Sequence, residues 1–368
     1  MTQTAHISAT ITAQTKPATL KNAVCFAVDQ RYMPFAIFVA NQILEKEQNI
    51  DFDIVICLPD LKIVPSVWLN SPIRFCALQT QGVDDFPVDH LSLAAYYRLF
   101  LPHAFQHEYE NIIYLDADTY LTRAFLSDFF KKIPADLVIA AAPDVANIYL
   151  DCDLEITRPR KRHLKEYFSR YYAVQHTYRN SGVLIIKTRN YIQKNCLERT
   201  LLIATANLKN MPYHDQTALN MALHSDLSML AFTYNWQADE RINHLFSRFN
   251  PALIHFIGTS KPWNTKYGFY GLYHAEYNHF LTKYFPNLNI NVQTQKKDAA
   301  YRHRLENPKY KNTLREGFSR EVGAFRRPIS RFFKRIANYI FKTNSIKNHI
   351  EQQLKQSLVP SQTEQTLY

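Results

Sequence analysis

Two aspartates, Asp116 and Asp118, stand at the end of the apolar run NIIYL (111–115). A buried strand that ends in carboxylates delivers hard oxygen ligands to the crevice where α/β sheets bind their ligands. Such oxygens suit Mg²⁺ or Mn²⁺ bridging phosphate oxygens, although aspartates also terminate strands and cap helices without any ion. A second polar point is His255, inside the apolar run ALIHFIG (252–258). Its neutral imidazole would add a third ligand to the two carboxylates, or it is a satisfied, partly buried histidine. Just beyond it, Gly258 permits close backbone approach to a ligand and Lys261 offers a compact ammonium to a pyrophosphate.

Asp29 closes the first apolar run, NAVCFAV (22–28). There it either accepts hydrogen bonds from a base or ribose, or caps the following helix. Neither G-x-G-x-x-G nor G-x-x-x-x-G-K-[ST] occurs, so the dinucleotide fingerprint and the P-loop are both absent. His90, Arg98, Asn180, Asp215 and Gln216 are further polar insertions beside apolar segments. Asp215 also reads as an N-cap.

The elements that must hold these groups follow the rhythm of a three-layer α/β domain. Apolar runs at 22–28, 52–58, 74–79, 111–118, 136–142, 182–187 and 252–258 read as strands, with helices near 33–46, 91–100 and 191–208. The strand runs are continuous rather than alternating, as in a mixed, mainly parallel sheet covered on both faces. The chain's 368 residues, 46% of them hydrophobic, supply a sizeable core. Five cysteines without C-x-x-C spacing argue against a zinc finger or a disulfide scaffold and fit a reducing, cytosolic setting.

Residues 1–20 read as a disordered leader, 21–285 as the α/β domain that carries these groups, 286–342 as a basic, aromatic extension, and 343–368 as a polar tail. The net charge of +11 is localised, because 299–342 hold 12 Lys and Arg against 3 Glu. A globally basic nucleic-acid binder is therefore excluded. Within the extension, Ile329, Phe332, Phe333, Ile336 and Ile340 form one helical stripe edged by cations. That pattern fits peripheral attachment to an anionic membrane surface.

In order, FAVD (26–29), HLSLAAYYRLFLP (90–102), NIIYLDAD (111–118), YRNSGVLIIK (178–187), HDQTALN (214–220) and HFIGTSKPW (255–263) resemble the retaining glycosyltransferases of family 8. These include the bacterial lipopolysaccharide galactosyl- and glucosyltransferases. The resemblance implies a Rossmann-like GT-A fold, a UDP-galactose or UDP-glucose donor and a lipid-linked core glycan acceptor. It implies Mn²⁺, or Mg²⁺ in its place, on Asp116, Asp118 and His255. It assigns Gly258 and Lys261 to the diphosphate, Ala27 and Asp29 to the uridine, and Arg98, Ala117 and Asn180 to the donor. Asp215 and Gln216 would bind sugar hydroxyls and face the reacting carbon, and His90 would line the acceptor side. The span 144–178 would shape the acceptor pocket. Gln30-Arg31-Tyr32 departs from the Asp-Asn-Tyr of many relatives. Two rivals stand beside this reading. A nucleotidyltransferase would open with a Gly-rich loop, yet no glycine precedes Gly82. A non-catalytic carbohydrate binder would not need Asp116, Asp118, His255 and Lys261 together.

Overall fold

The computed structural model describes residues 7–82, 94–151, 178–206, 213–292 and 343–355. Its main sheet is built from β1 (Ser8–Gln14), β2 (Asn22–Ala27), β3 (Asp53–Leu58), β4 (Arg74–Gln81), β5 (Asn111–Leu115), β7 (Ile139–Pro143), β8 (Arg179–Lys187) and β9 (Leu227–Met229). The strand order is β1-β4-β3-β2-β5-β8-β7-β9. The pairs β4–β3, β3–β2, β2–β5 and β7–β9 are parallel, and β1–β4, β5–β8 and β8–β7 antiparallel. The mixed, mainly parallel α/β architecture read from the sequence is the one formed.

Continuous apolar runs arise because both faces are covered. Val24 and Phe26 of β2 face one buried cluster, together with α1 (Met33–Lys46) and α5 (Gly268–Tyr284). Ala23, Cys25 and Ala27 face the other, with α2 (Ala94–Ala104), α3 (Cys196–Ala206) and α4 (His214–Leu223). Cys25, Cys57, Cys76 and Cys196 are all buried free thiols, and burial raises each of their pKa values.

A smaller sheet, β10-β11-β6, holds β6 (Thr119–Leu121), β10 (Trp236–Gln237) and β11 (Leu253–His255). The run 252–258 therefore does not extend the main sheet as expected. Only three of its residues are strand, and they pair with β6, immediately after the aspartates.

The leader is also different from its reading. Ser8–Gln14 is an edge strand on β4, half-exposed as its mixed Thr, Ile and Ala composition allows. Arg74, itself buried, binds the side chain of Gln14 and donates to the Lys16 carbonyl at 3.0 Å. Asp53 accepts from the Thr19 backbone N–H at 2.8 Å and its hydroxyl at 2.6 Å. Within the polar tail, residues 343–355 are helical and bury Ile346, Ile350 and Leu354 in the core. Their i, i+4, i+8 spacing makes one helical stripe despite polar neighbours. The stripe 329–340, His90 and all of 144–178 except 144–151 and 178 lie outside the described residues.

Candidate active site

The site forms where strand direction reverses. β5 runs parallel to β2 but antiparallel to β8, so the carboxylate end of β5 meets the start of β8. The Asp116 N–H donates to the Gly182 carbonyl at 2.8 Å, which sets Asn180, Ser181 and Gly182 against the aspartates. The chain then turns into β6, and the Phe256 N–H donates to the Asp118 carbonyl at 2.9 Å, bringing His255 alongside. Gly182 has to be glycine for steric reasons. A methyl there would lie 2.7 Å from His255 Nδ1 and 2.8 Å from Asp116 Oδ2.

Asp116, Asp118 and His255 are the group of metal-ligating side chains among the described residues, each offering an atom within 4.8 Å of the others. His255 Nε2 lies 3.2 Å from Asp118 Oδ1 and 3.6 Å from Asp116 Oδ2. Asp118 Oδ1 is buried and takes no hydrogen bond. Two carboxylates and an imidazole thus turn lone pairs toward one point, a donor set that fits a hard or borderline divalent cation.

Cations already present brace the outer side of this cluster. Arg98 lies 3.1 Å from Asp116 Oδ1 and 3.3 Å from Asp215 Oδ2, and donates to the Ser181 carbonyl at 2.9 Å. Its guanidinium stacks over Tyr114, whose hydroxyl donates to Asp116 at 2.6 Å. Lys261 donates to Asp118 and to the Phe256 carbonyl, and is itself buried. Burial alone would raise the Asp118 carboxyl, yet the Lys261 ammonium beside it holds it well below the usual carboxylate range. Asp215 shifts the other way, because burial outweighs the nearby Arg98 guanidinium.

A cavity of about 750 Å³ opens onto this cluster, and Arg98, Asp116, Asp118, Asn180, Asp215, Gln216, His255, Gly258 and Lys261 all line it. Gly258 adopts φ 75°, a left-handed conformation that favours glycine. Ala27, Asp29 and Ala117 do not line the cavity. Ala27 and Ala117 pack in the two cores, and Asp29 Oδ1 accepts from the Arg31 and Tyr32 backbone N–H groups at 2.9 and 3.0 Å, ahead of α1. His214 holds φ 40°, a strained conformation that presents Asp215 and Gln216 at the start of α4.

Three residues of the site escaped the sequence reading. Asp144 accepts from Asn180 Nδ2 and Gln216 Nε2, each at 3.2 Å. It ends the apolar run of β7 as Asp116 ends that of β5, a signal that was available. Gly182 carries no side chain to signal its role, and Asn235 sits between two aromatics like any buried polar residue.

Residues 23–266, about two thirds of the chain, match the model of the family described as Glycosyl transferase family 8. The chain is 22% identical over 315 residues to a lipopolysaccharide 1,2-glucosyltransferase of Escherichia coli, covering 79% of this chain and 85% of that one. It is 26% identical over 229 residues to General stress protein A of Bacillus subtilis, covering 57% and 73% respectively. Among solved structures, galactosyltransferase LgtC in complex with donor and acceptor sugar analogues superposes with a TM-score of 0.56 at 16% identity. That superposition covers 75% of this chain and 98% of the other. At that identity the likeness is one of fold.

Proposed function

We propose that this chain, which belongs to glycosyl transferase family 8 and is a glycosyl-transferring enzyme, moves galactose or glucose from a UDP-sugar to a lipopolysaccharide or lipooligosaccharide core with retention of anomeric configuration. The convergence of Asp116, Asp118 and His255 on one point of the cavity carries this reading. In it those residues hold Mn²⁺, or Mg²⁺ in its place. When bound, a divalent ion there neutralises charge gathering on the diphosphate as the glycosidic bond breaks.

The protein's own groups do the rest. Lys261 stands beside Asp118 as a second cation toward the diphosphate, and Gly258 leaves room for close approach. Arg98 ties Asp116 to Asp215 and so keeps the metal side and the sugar side at fixed spacing. Gln216 is a poor nucleophile, and its amide is already committed: Oε1 accepts from the Ser181 N–H at 3.0 Å and Nε2 donates to Asp144 at 3.2 Å. This favours front-face transfer. The acceptor oxygen bonds to the anomeric carbon on the face the diphosphate leaves, and the acceptor proton passes to the departing diphosphate oxygen.

The E. coli relative's substrate supports a lipid-linked core glycan as acceptor. We assign residues 21–285 to catalysis and 286–342 to peripheral attachment at the inner face of the inner membrane. The support for the second assignment is the basic aromatic stripe in the sequence. No helix among the described residues is long and apolar enough to cross a membrane. Incubation with UDP-galactose or UDP-glucose, Mn²⁺ and purified core oligosaccharide tests the reading, with the product linkage read by NMR. An α-linked product is expected; a β-linked product would contradict retention, and no transfer to any core glycan would remove the acceptor.

A further inference from the structure

We propose that Asn235 is a positioning residue that fixes which nitrogen of His255 faces the carboxylate pair, through a chain of side-chain amides whose direction is set by a backbone N–H. The starting point is the Gly182 N–H, which donates to the Asn180 side chain at 3.1 Å. A backbone donor requires an acceptor, so that atom of Asn180 is its oxygen. The other end of Asn180 is then its amino group, and it meets acceptors as required: Asp144 Oδ2 and Gln216 Oε1, both at 3.2 Å. Asn180 Oδ1 also accepts from Asn235 at 2.9 Å, so Asn235 turns its amino group there. Its oxygen must then face His255 Nδ1, 3.1 Å away.

An amide oxygen only accepts, so His255 Nδ1 carries the proton and Nε2 of the neutral ring is bare. Nε2 is the nitrogen that points at Asp118 and Asp116. The opposite tautomer would set two lone pairs against each other at Nδ1. No water could relieve them easily, because Asn235 is 0% and His255 5% exposed. Asn235 is itself rigidly held. It follows the 3₁₀ turn Phe232–Tyr234, and its N–H donates to the Phe232 carbonyl at 3.0 Å. The next strand, β10, runs parallel to β11 with Gln237 opposite His255. Gln237 Nε2 donates to the Pro143 carbonyl at 2.8 Å and its Oε1 accepts from Val145 N–H at 2.7 Å, fastening the strand to the segment that carries Asp144. One backbone amide therefore sets the tautomer of a candidate ligand three side chains away. Outer groups that orient a ligating histidine this way typically change metal affinity by roughly 10- to 100-fold when removed.

Two readouts test it, and only the second rests on the metal-holding reading above. Long-range ¹H–¹⁵N correlation of metal-free protein at about pH 8, where imidazole is ordinarily neutral, reports the tautomer; His255→Gln identifies the His255 signals. Titration calorimetry with Mn²⁺ reports affinity. Wild type is expected to show a proton on Nδ1 and a bare Nε2. Asn235→Leu should lose that preference and bind Mn²⁺ roughly 10- to 100-fold more weakly. Asn235→Asp keeps an acceptor against Nδ1 but turns its second carboxylate oxygen onto Asn180 Oδ1, so it is read by tautomer alone and should keep the proton on Nδ1. If Asn235→Leu fails to fold, the tautomers of wild type and Asn235→Asp still decide. A proton on Nε2 in wild type, or wild-type Mn²⁺ affinity in folded Asn235→Leu, overturns the proposal. Absence of Mn²⁺ binding by wild type would instead overturn the metal reading, leaving the tautomer to judge Asn235.

Discussion

Replacing Gly182 with alanine adds one methyl group and should remove most activity. Gly182 does not have a positive φ, so alanine meets no backbone barrier in β8. The smaller unfolded-state entropy of alanine should even add about 0.4–1 kcal/mol of stability. The obstacle is steric. The new Cβ would lie 2.7 Å from His255 Nδ1 and 2.8 Å from Asp116 Oδ2, and closer still to His255 Cε1. Carbon contacts relax at about 3.5–4.0 Å, so a ligand or the strand has to move by roughly 1 Å. The strand resists, because the Gly182 carbonyl and N–H are both engaged, at 2.8 and 3.1 Å. Overpacking of this kind costs about 1–3 kcal/mol, leaving a net loss of roughly 0–2.6 kcal/mol after the entropic gain. A misplacement of about 1 Å at a reacting centre costs on the order of 100-fold in rate. The assay is steady-state release of UDP from donor sugar with Mn²⁺, alongside urea denaturation. A variant with stability and kcat both within threefold of wild type would refute the packing argument.

Asp116→Asn and Asp118→Asn should each lower kcat/KM by at least about 100-fold, equivalent to roughly 2.7 kcal/mol, without loss of fold by circular dichroism. Near-wild-type rates in chelator would contradict the assignment. Asp53→Asn should cost about 1–2 kcal/mol at neutral pH, read by urea denaturation, because it weakens acceptance from Thr19 and Tyr109. Burial would raise the Asp53 carboxyl, but those hydrogen bonds hold it below the usual range. Its stabilisation is therefore full above about pH 4 and lost as pH falls through the depressed value, so the two proteins should converge in acid. Ile350→Ala should cost about 2–4 kcal/mol by the same assay. A change below about 0.5 kcal/mol would mean that residues 343–355 are solvated after all.

What the sequence disclosed and what it hid divide along physical lines. Strands such as 22–27 and 111–115 were readable because burial on both faces demands continuous apolar runs. The carboxylates at 116 and 118 were readable because a strand end is where the site must be. Ser8–Gln14 was not, since an edge strand with one wet face carries little apolar signal, and its anchor, Arg74, lies some sixty residues away. His255 could be singled out by type, but its sheet could not, because three-residue strands are defined by their partners. Gly182 and Asn235 act through distance and hydrogen-bond direction, which exist only once β8, β10 and β11 are brought together. Asp29 shows the converse. Its place at a strand end allowed either a nucleoside contact or a cap on the next helix, and the structure shows its Oδ1 accepting from the loop that leads into α1.

The most direct test of the central claim is a panel of nucleotide-sugars, with release of the free diphosphate measured in Mn²⁺, in chelator, and after Mn²⁺ is restored. UDP-galactose or UDP-glucose should be turned over only with the metal, and activity should return when Mn²⁺ is added back. Equal turnover in chelator, or a clear preference for a guanosine-linked donor, would contradict a metal-dependent UDP-hexose transferase built on Asp116, Asp118 and His255.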